Sequence, residues 1–243
     1  MSGTEIARLY RAVLWRAWPA ALLFALLFSF FLDRLTLTLP DPLSPDALER
    51  YSAFLVSGGL WRAVLAVTLL SLWPTCALVI CAQRVAGDRP LPMAGGLPAA
   101  LRAYPAALVL SVVYVALTAL GLLLFMVPGI YLAGALQLWV VALLAGEASA
   151  GQALQASWRR VQHRWWRSNT MVAIVVLCGL GAGALAGLVG DLLVHVVTAV
   201  WMPDAATQRL LALATSLLGN FVTAPAYPVA LVASYRDLGA PAA

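Results

Sequence analysis

The sequence predicts an all-α, polytopic transmembrane helical bundle with about six spans and with amphipathic helices on the cytoplasmic membrane surface. Of the 243 residues, 63% are hydrophobic and only 10% are charged, whereas about a quarter of the residues in a typical soluble domain are charged. The mean hydropathy is +0.91. Because hydrocarbon offers no hydrogen-bond partners, a chain this apolar crosses a bilayer as helices. We expect one membrane domain that covers residues 1–243.

Six apolar runs define the predicted spans, since a helix needs about 20 apolar residues to cross the hydrocarbon. They lie at about 17–32, 60–81, 106–126, 131–146, 171–200 and 210–232. Pro74 predicts a kink in the second span, and Pro225 and Pro228 interrupt the sixth. The dipeptide Pro128-Gly129 leaves room only for a tight hairpin between the third span and the fourth.

Amphipathic segments flank these spans at about 4–16, 98–103 and 149–168, and a short cap helix is predicted on the outer side at about 44–57. In the longest of them, Ser149 and Gln152 form a capping-box pattern. Apolar and aromatic side chains then recur on one face while arginines fill the other, as in helices that lie in the headgroup plane. The residues expected to contact lipid headgroups are Arg11, Arg16, Trp158, Arg159, Arg160, Arg164, Trp165, Trp166 and Arg167.

Arginine is distributed unequally between the two sides of the predicted bundle, and all 15 basic residues are arginine. Six spans put both termini on one side, with Arg8, Arg11, Arg16, Arg84, Arg89, Arg102, Arg159, Arg160, Arg164, Arg167 and Arg236. The other side holds only Arg34, Arg50, Arg62 and Arg209. An excess of basic residues marks the cytoplasmic side. We therefore predict a protein of the bacterial cytoplasmic (inner) membrane with both termini cytoplasmic.

The positive net charge of +5 does not indicate nucleic acid, because the arginines flank apolar spans. Anionic phospholipids are the expected partner of cations in that position. A partner membrane protein is the other candidate, and the sequence leaves the homo-oligomeric state open.

The fifth predicted span contains Gly179, Gly183 and Gly187, each four residues from the next. Small residues at this spacing favour close helix packing; a glycine-lined substrate path is the alternative. The run is longer than one span needs, so it tilts, breaks at Gly190 or continues beyond the membrane.

Three polar residues in or near the spans are candidate sites. Asn220 lies in the middle of the sixth span, where an amide either bonds a neighbouring helix or contacts a substrate. Asp191 and His195 are one turn apart near the outer end of the fifth span; they fit a proton relay, half of a metal site or a hydrated helix end. No metal, cofactor or catalytic residue is predicted, because the chain has no HExxH, GxSxG, CxxC or phosphate-loop pattern.

Residues 10–18 and 158–166 align without gaps, and four of the nine positions are identical. Each copy precedes a span on the same side. A duplicated unit of one interfacial helix and two spans explains this, and so does the common composition of Arg/Trp interfacial helices.

Five segments carry a resemblance to a known family: VPGIYL (127–132), ALQASWRRV (153–161), WWR (165–167), TAP (223–225) and ASYRDL (233–238). In this order they resemble the YciC-type bacterial inner-membrane family, which is related to the membrane domain of some glycerophosphodiester phosphodiesterases. The resemblance covers residues 5–238 in layout and implies a six-helix inner-membrane protein. It carries no catalytic residue across, because no residues remain here for the phosphodiesterase barrel.

These observations predict a multi-pass cytoplasmic-membrane protein without enzymatic activity. Its expected role is an envelope-related accessory or scaffold that engages anionic lipid or a membrane partner. The alternative is a small exporter or permease for an unidentified solute or lipid, since broken spans with a polar group at depth are typical of carriers.

Overall fold

The computed structural model describes residues 1–38, 47–56, 58–90, 96–146, 149–201 and 204–239. Within these ranges all regular structure is helical. The helices are α1 (Gly3–Arg16), α2 (Trp18–Thr38), α3 (Ala47–Val56), α4 (Gly58–Ala86), α5 (Leu97–Leu124), α6 (Met126–Leu136), α7 (Trp139–Leu144), α8 (Ala150–Val161), α9 (Trp165–Trp201), α10 (Ala205–Thr223) and α11 (Ala226–Gly239).

Five segments are long and apolar enough to cross a membrane: Leu65–Ala86, Leu97–Leu124, Met126–Leu144, Trp165–Trp201 and Ala206–Gly239. The number rises to six if α1 and the first part of α2, which meet at an angle of 82°, are counted together as one bent span. The chain is therefore an all-α helical bundle of the multi-pass membrane class. The predicted cap at 44–57 corresponds to α3, while residues 44–46 and 57 of that prediction lie outside the described residues.

Proline acts differently from the prediction at the third and fourth spans. The prediction of a separate interfacial helix at 98–103 is wrong, because these residues form the first turns of α5. Gly96, with φ of 78°, is the N-cap residue of α5. Pro98 lies in the first turn of this helix, where a backbone N–H has no partner within the helix, so the missing N–H of proline costs nothing. Pro105 costs one backbone bond inside α5 but does not end it, since ending the helix there would expose more backbone groups to hydrocarbon.

The hairpin between the third and fourth spans lies earlier than predicted. The chain reverses at Phe125, which is extended with φ of −158°, and Pro128 falls in the first turn of α6. Two glycines permit the close approach of α5 and α6, because a Cβ on Gly121 would lie 2.9 Å from the Cα of Gly129.

Two of the five membrane-length segments are broken, and a hydroxyl group from an amphipathic helix bonds to the backbone at each break. Between α6 and α7, the fully buried Ser157 of α8 donates to the carbonyl of Ala135 at 2.8 Å and accepts from the N–H of Leu138 at 3.2 Å. Between α10 and α11, the Tyr10 hydroxyl of α1 donates to the carbonyl of Val222.

The predicted interfacial helix at 149–168 is divided between two helices, α8 and the start of α9. Its capping box is present, with the Ser149 N–H donating to Gln152 Oε1 at 3.5 Å, but α8 ends at Val161 and α9 begins at Trp165. The break lets Trp165 turn back, so that its Nε1 donates to the carbonyl of Tyr131 at 3.0 Å. Glu147, which precedes this region, lies outside the described residues.

α9 runs unbroken through Gly190 for 37 residues, which is about 56 Å at 1.5 Å per residue. It packs on α10 and α11 through glycine. A Cβ on Gly179 would overlap the Ala226 side chain, one on Gly183 would overlap that of Thr223, and one on Gly190 would lie 2.8 Å from Thr215. At Gly187 an added Cβ would meet nothing within 4 Å, although the Gly187 backbone lies 3.7 Å from a Cβ placed on Gly219 of α10.

The best-buried part of the bundle surrounds α11. Almost every residue from Ala226 to Tyr235 is buried, and α1, α4, α7, α8 and α9 pack around this helix. α11 therefore holds together the end of the bundle at which the amphipathic helices lie.

Candidate functional site

Contacts between distant parts of the sequence gather many of the arginines at one end of the bundle. The Arg236 guanidinium donates to the carbonyl of Ala86 at the end of α4, and Arg160 Nη1 donates to the carbonyl of Tyr235 at 3.3 Å. We call this the arginine end. Its members by contact or by a shared pocket are Arg8, Arg16, Arg84, Arg89, Arg160, Arg167 and Arg236. We include the exposed Arg11 and Arg159, because they lie on α1 and α8, the helices that carry Arg8, Arg16 and Arg160. At the far end of α2 and α10, Arg209 pairs with Asp33 at 3.0 Å.

A buried carboxylate ties three helices together at the arginine end. Asp237 of α11 is 8% exposed, and its Oδ1 lies 2.9 Å from the ammonium group of Met1. Its Oδ2 lies 2.8 Å from Nε of Arg167 in α9. Because a buried charge is costly unless it is paired, Asp237 fixes the start of α1 and the start of α9 against α11. The sequence analysis missed this role, since the partners are far away in the chain.

The start of α1 is also capped locally. The Ser2 N–H donates to Glu5 Oε2 at 2.7 Å, and the Glu5 N–H donates to Ser2 Oγ at 3.3 Å. The Ser2 backbone N–H first, and its hydroxyl second, hold the pKa of Glu5 below its usual value. The ionised Glu5 suits the positive end of the α1 dipole.

Two of the tryptophans expected at the headgroups turn inward instead. The Tyr131 ring stacks on Trp165 at 5.7 Å between centroids and contacts the edge of Trp158 at 5.5 Å. Trp166 contacts the Trp165 ring at 4.8 Å between centroids, but 78% of its own surface is exposed. Trp158 and Trp165 therefore join α8 and α9 to α6, and Trp166 remains available to a lipid interface.

The predicted lipid-contacting arginines differ in their surroundings. Arg160 lies with its Cζ 3.7 Å above the centre of the Tyr235 ring, and Arg167 pairs with Asp237 although its own side chain is 61% exposed. Arg164 is half-buried. Arg11, Arg16 and Arg159 are exposed.

A basic cleft of about 980 Å³ opens at the arginine end between α4, α5, α7, α8 and α11. Arg84, Arg89, Arg160 and Arg236 line it, and no carboxylate is among the described residues that do. An adjoining pocket of about 740 Å³ lies beside α1 and shares Arg89 and Arg236, but its lining includes carboxylates: Glu5, Asp88 and Asp237. Sequence reasoning did not anticipate the cleft, because its arginines come from three separated segments.

Two of the three polar residues predicted in or near the spans, Asn220 and Asp191, bond to other helices. Asn220 Nδ2 donates to Ser29 Oγ of α2 at 2.9 Å. Asp191 Oδ1 lies 2.8 Å from the Thr215 hydroxyl of α10. His195 does not meet the Asp191 carboxylate; its Nδ1 lies 3.0 Å from the Asp191 carbonyl oxygen, one turn back in α9.

A groove of about 470 Å³ runs between α9 and α10, and Gly183, Gly187, Asp191, Thr215 and Asn220 are among the residues that line it. Within the described part of the chain no group of three His, Cys, Asp or Glu side chains has a geometry that could hold a metal ion. The groove is thus polar at several points along the bundle.

The fold and this end of the bundle define a multi-pass membrane protein with a clustered arginine surface. Comparison with family models, with curated proteins and with solved structures finds no match to this chain.

Replacing Asp237 by Asn should loosen α1. The change leaves the Met1 ammonium group and Arg167 without their shared carboxylate, and we expect it to lower the stability of the folded protein by about 1–3 kcal/mol. Limited trypsin digestion in detergent would then release the segment that ends at Arg16 faster than in the unchanged protein.

Asp33→Asn is the matched control, since it removes a carboxylate whose partner Arg209 is 53% exposed; a loss below about 1 kcal/mol is expected. Equal release of the N-terminal segment from both variants would contradict the role of Asp237.

Proposed function

We propose that this chain is a protein of the bacterial cytoplasmic membrane, with both termini cytoplasmic, that engages anionic phospholipid through its arginine end. Its role is an envelope-related accessory or scaffold, and it has no enzymatic activity. The observation that carries the proposal is the gathering of arginines from α1, α4, α8, α9 and α11 at one end of a membrane-length bundle.

The charge distribution supports this orientation. Cations near an anionic membrane surface each contribute about 1 kcal/mol of attraction, and basic residues accumulate on the cytoplasmic side of membrane proteins. At the far end, one arginine, Arg209, pairs with a carboxylate, that of Asp33.

The angle between α1 and α2 supports contact with headgroups. Because α1 turns by 82° from α2, it lies across the bundle end if α2 crosses the membrane. Its buried residues Leu9 and Val13 face the bundle, and Arg11 is exposed. Trp166, next to Arg167, supplies an exposed aromatic ring of the kind enriched at membrane interfaces.

A non-enzymatic role fits the bonding of the polar side chains. Ser168 and Ser234 bond to each other at 2.8 Å in the interior, and Asn220 bonds to Ser29. These pairs join helices, as polar residues in membranes usually do. The resemblance to the YciC-type inner-membrane family agrees with this proposal and remains a prediction.

Neutralising the exposed arginines should reduce the preference for anionic lipid. We expect Arg11→Gln combined with Arg159→Gln to weaken association with phosphatidylglycerol by about tenfold, since each exposed arginine contributes up to about 1 kcal/mol. The measurement is the ratio of phosphatidylglycerol to phosphatidylethanolamine that copurifies with the protein.

The control is Arg62→Gln, which removes one exposed charge from α4 at the far end of the bundle. An unchanged lipid ratio in the Arg11/Arg159 variant, or an equal change in the control, would count against the proposal.

A small exporter or permease is the second candidate, and the groove between α9 and α10 favours it. The groove carries Asp191, Thr215 and Asn220 along a path beside the broken segment formed by α10 and α11. Carriers place substrate sites at such interrupted helices.

Water access to the groove separates the two candidates. In a background with Cys76, Cys81 and Cys178 replaced by Ser, a cysteine at Ser216 in the groove should react quickly with a charged methanethiosulfonate if the groove conducts solute. Leu120→Cys, on the exposed face of α5, is the control. The lipid-engaging proposal predicts that both cysteines stay unreactive.

A further inference from the structure

We propose that the basic cleft is a binding site for a phosphate-monoester group carrying two negative charges, supplied by a lipid headgroup or by free phosphate. The inference deepens the proposed function by assigning a defined site and ligand class at the arginine end. If the phosphate group comes from a lipid, the inference also rests on the proposed orientation in the membrane; for free phosphate it does not.

The first argument is charge. Four guanidinium groups line the cleft: Arg84, Arg89, Arg160 and Arg236. Three helices end at it, namely α4, α7 and α11, and the carbonyl end of a helix contributes about half a negative charge. Among the described residues, positive charge at the cleft exceeds what these helix ends offset. Arg89 and Arg236 also face the adjoining pocket with Glu5, Asp88 and Asp237, and a dianion offsets more of the net excess than a monoanion does.

The second argument is that the fold holds the arginines in place. Arg84 Nη1 donates to the carbonyl of Pro90 at 3.1 Å, and Arg236 donates to that of Ala86. Arg160 stacks on the Tyr235 ring. A guanidinium has five N–H donors in a fixed fork, so one backbone contact orients Arg84 or Arg236 and leaves donors for a phosphate oxygen.

The C-terminal cap of α4 places Arg89 at the cleft. The Arg89 N–H donates back to the carbonyl of Arg84 at 2.8 Å, and the Gly87 N–H donates to that of Gln83 at 3.0 Å. Asp88 adopts a φ of 50°, the left-handed conformation that ends many helices. Within the described residues no partner is found for the Arg89 guanidinium, which makes it the arginine most available to an anion.

The third argument is shape. A volume of about 980 Å³ is at the upper end of the range for small-molecule sites and exceeds what a phosphate ion fills. Beside the arginines, Gln83 and Tyr235 line the cleft together with apolar residues: Ile80, Ala99, Ala103, Val141, Leu143, Leu144 and Val232. Arginines together with apolar side chains suit a phosphate that is attached to an apolar body.

The binding test uses the full chain, delipidated in detergent, with three probes: dioctanoyl phosphatidic acid, dioctanoyl phosphatidylglycerol and radiolabelled inorganic phosphate. Native mass spectrometry measures the lipids, and equilibrium dialysis measures phosphate. We expect one phosphatidic acid per chain, bound about tenfold more tightly than phosphatidylglycerol, because the monoester carries the second charge.

The cleft variant is Arg84→Gln with Arg89→Gln, and the matched control is Arg62→Gln with Arg209→Gln at the far end. The cleft variant should weaken phosphatidic acid binding by about a hundredfold, or about tenfold for each arginine, and the control should change it by less than about threefold. Thermal unfolding of each variant checks that the fold is kept, and Arg89→Gln alone gives a second reading if the double variant is unstable.

The two sources are separated by competition. If inorganic phosphate displaces phosphatidic acid, the phosphate group alone is sufficient; if it does not, the site takes the lipid. Both results support the site. Absence of saturable binding by phosphatidic acid and by phosphate, equal affinity for phosphatidylglycerol, or an equal loss in the control would each overturn it.

The site and the proposed function can fail separately. Lipid preference that depends on Arg11 and Arg159, without saturable binding at the cleft, would remove the site and leave the function. Saturable binding at the cleft, with no lipid preference that depends on Arg11 and Arg159, would keep the site and remove the proposed function.

Discussion

Hydrocarbon cannot hydrogen-bond, and this structure depends on how the chain satisfies its own backbone wherever a membrane-length helix stops. Two such segments are broken, at 137–138 and at 224–225. In each case an amphipathic helix sends one hydroxyl into the break: Ser157 from α8 and Tyr10 from α1. These helices are therefore part of the bundle's interior, and their polar faces form its end.

The same constraint explains why the charges collect where they do. An arginine within a span would be costly, so the guanidinium groups lie at helix ends and bond to the carbonyls that those ends leave open. Arg236 bonds in this way to Ala86 at the end of α4, and Arg84 bonds to Pro90 in the loop that follows the helix. Asp237 supplies a buried carboxylate for Met1 and Arg167, while the basic cleft gathers four arginines without a described carboxylate. That difference separates a structural use of charge from one suited to a ligand.

The sequence was sufficient for features that depend on local pattern. The apolar runs predicted the helical bundle, and the Ser149–Gln152 spacing predicted a cap that is present. Pro98 and Pro128 misled the prediction because the effect of a proline depends on whether it falls in the first turn of a helix, which composition does not reveal. The Asp237 pair and the cleft could not be predicted, since each joins side chains from segments far apart in the chain.

The aligned segments 10–18 and 158–166 each begin in an amphipathic helix, the first in α1 and the second in α8. In both copies the amphipathic helix stops just before a long apolar helix, with Trp18 opening α2 and Trp166 in the first turn of α9. Tyr10 of the first copy bonds at one broken segment, and Ser157, the residue just before the second copy, bonds at the other. A duplicated unit explains this shared arrangement, and so does the general need of broken spans for a nearby hydroxyl.

Reporter fusions measure the orientation of the arginine end most directly, because both termini belong to that side of the proposed topology. With both termini in the cytoplasm, green fluorescent protein fused to either end should fluoresce, and alkaline phosphatase fused to either end should be inactive. Active alkaline phosphatase at either terminus would contradict the placement of the arginine end at the cytoplasmic surface.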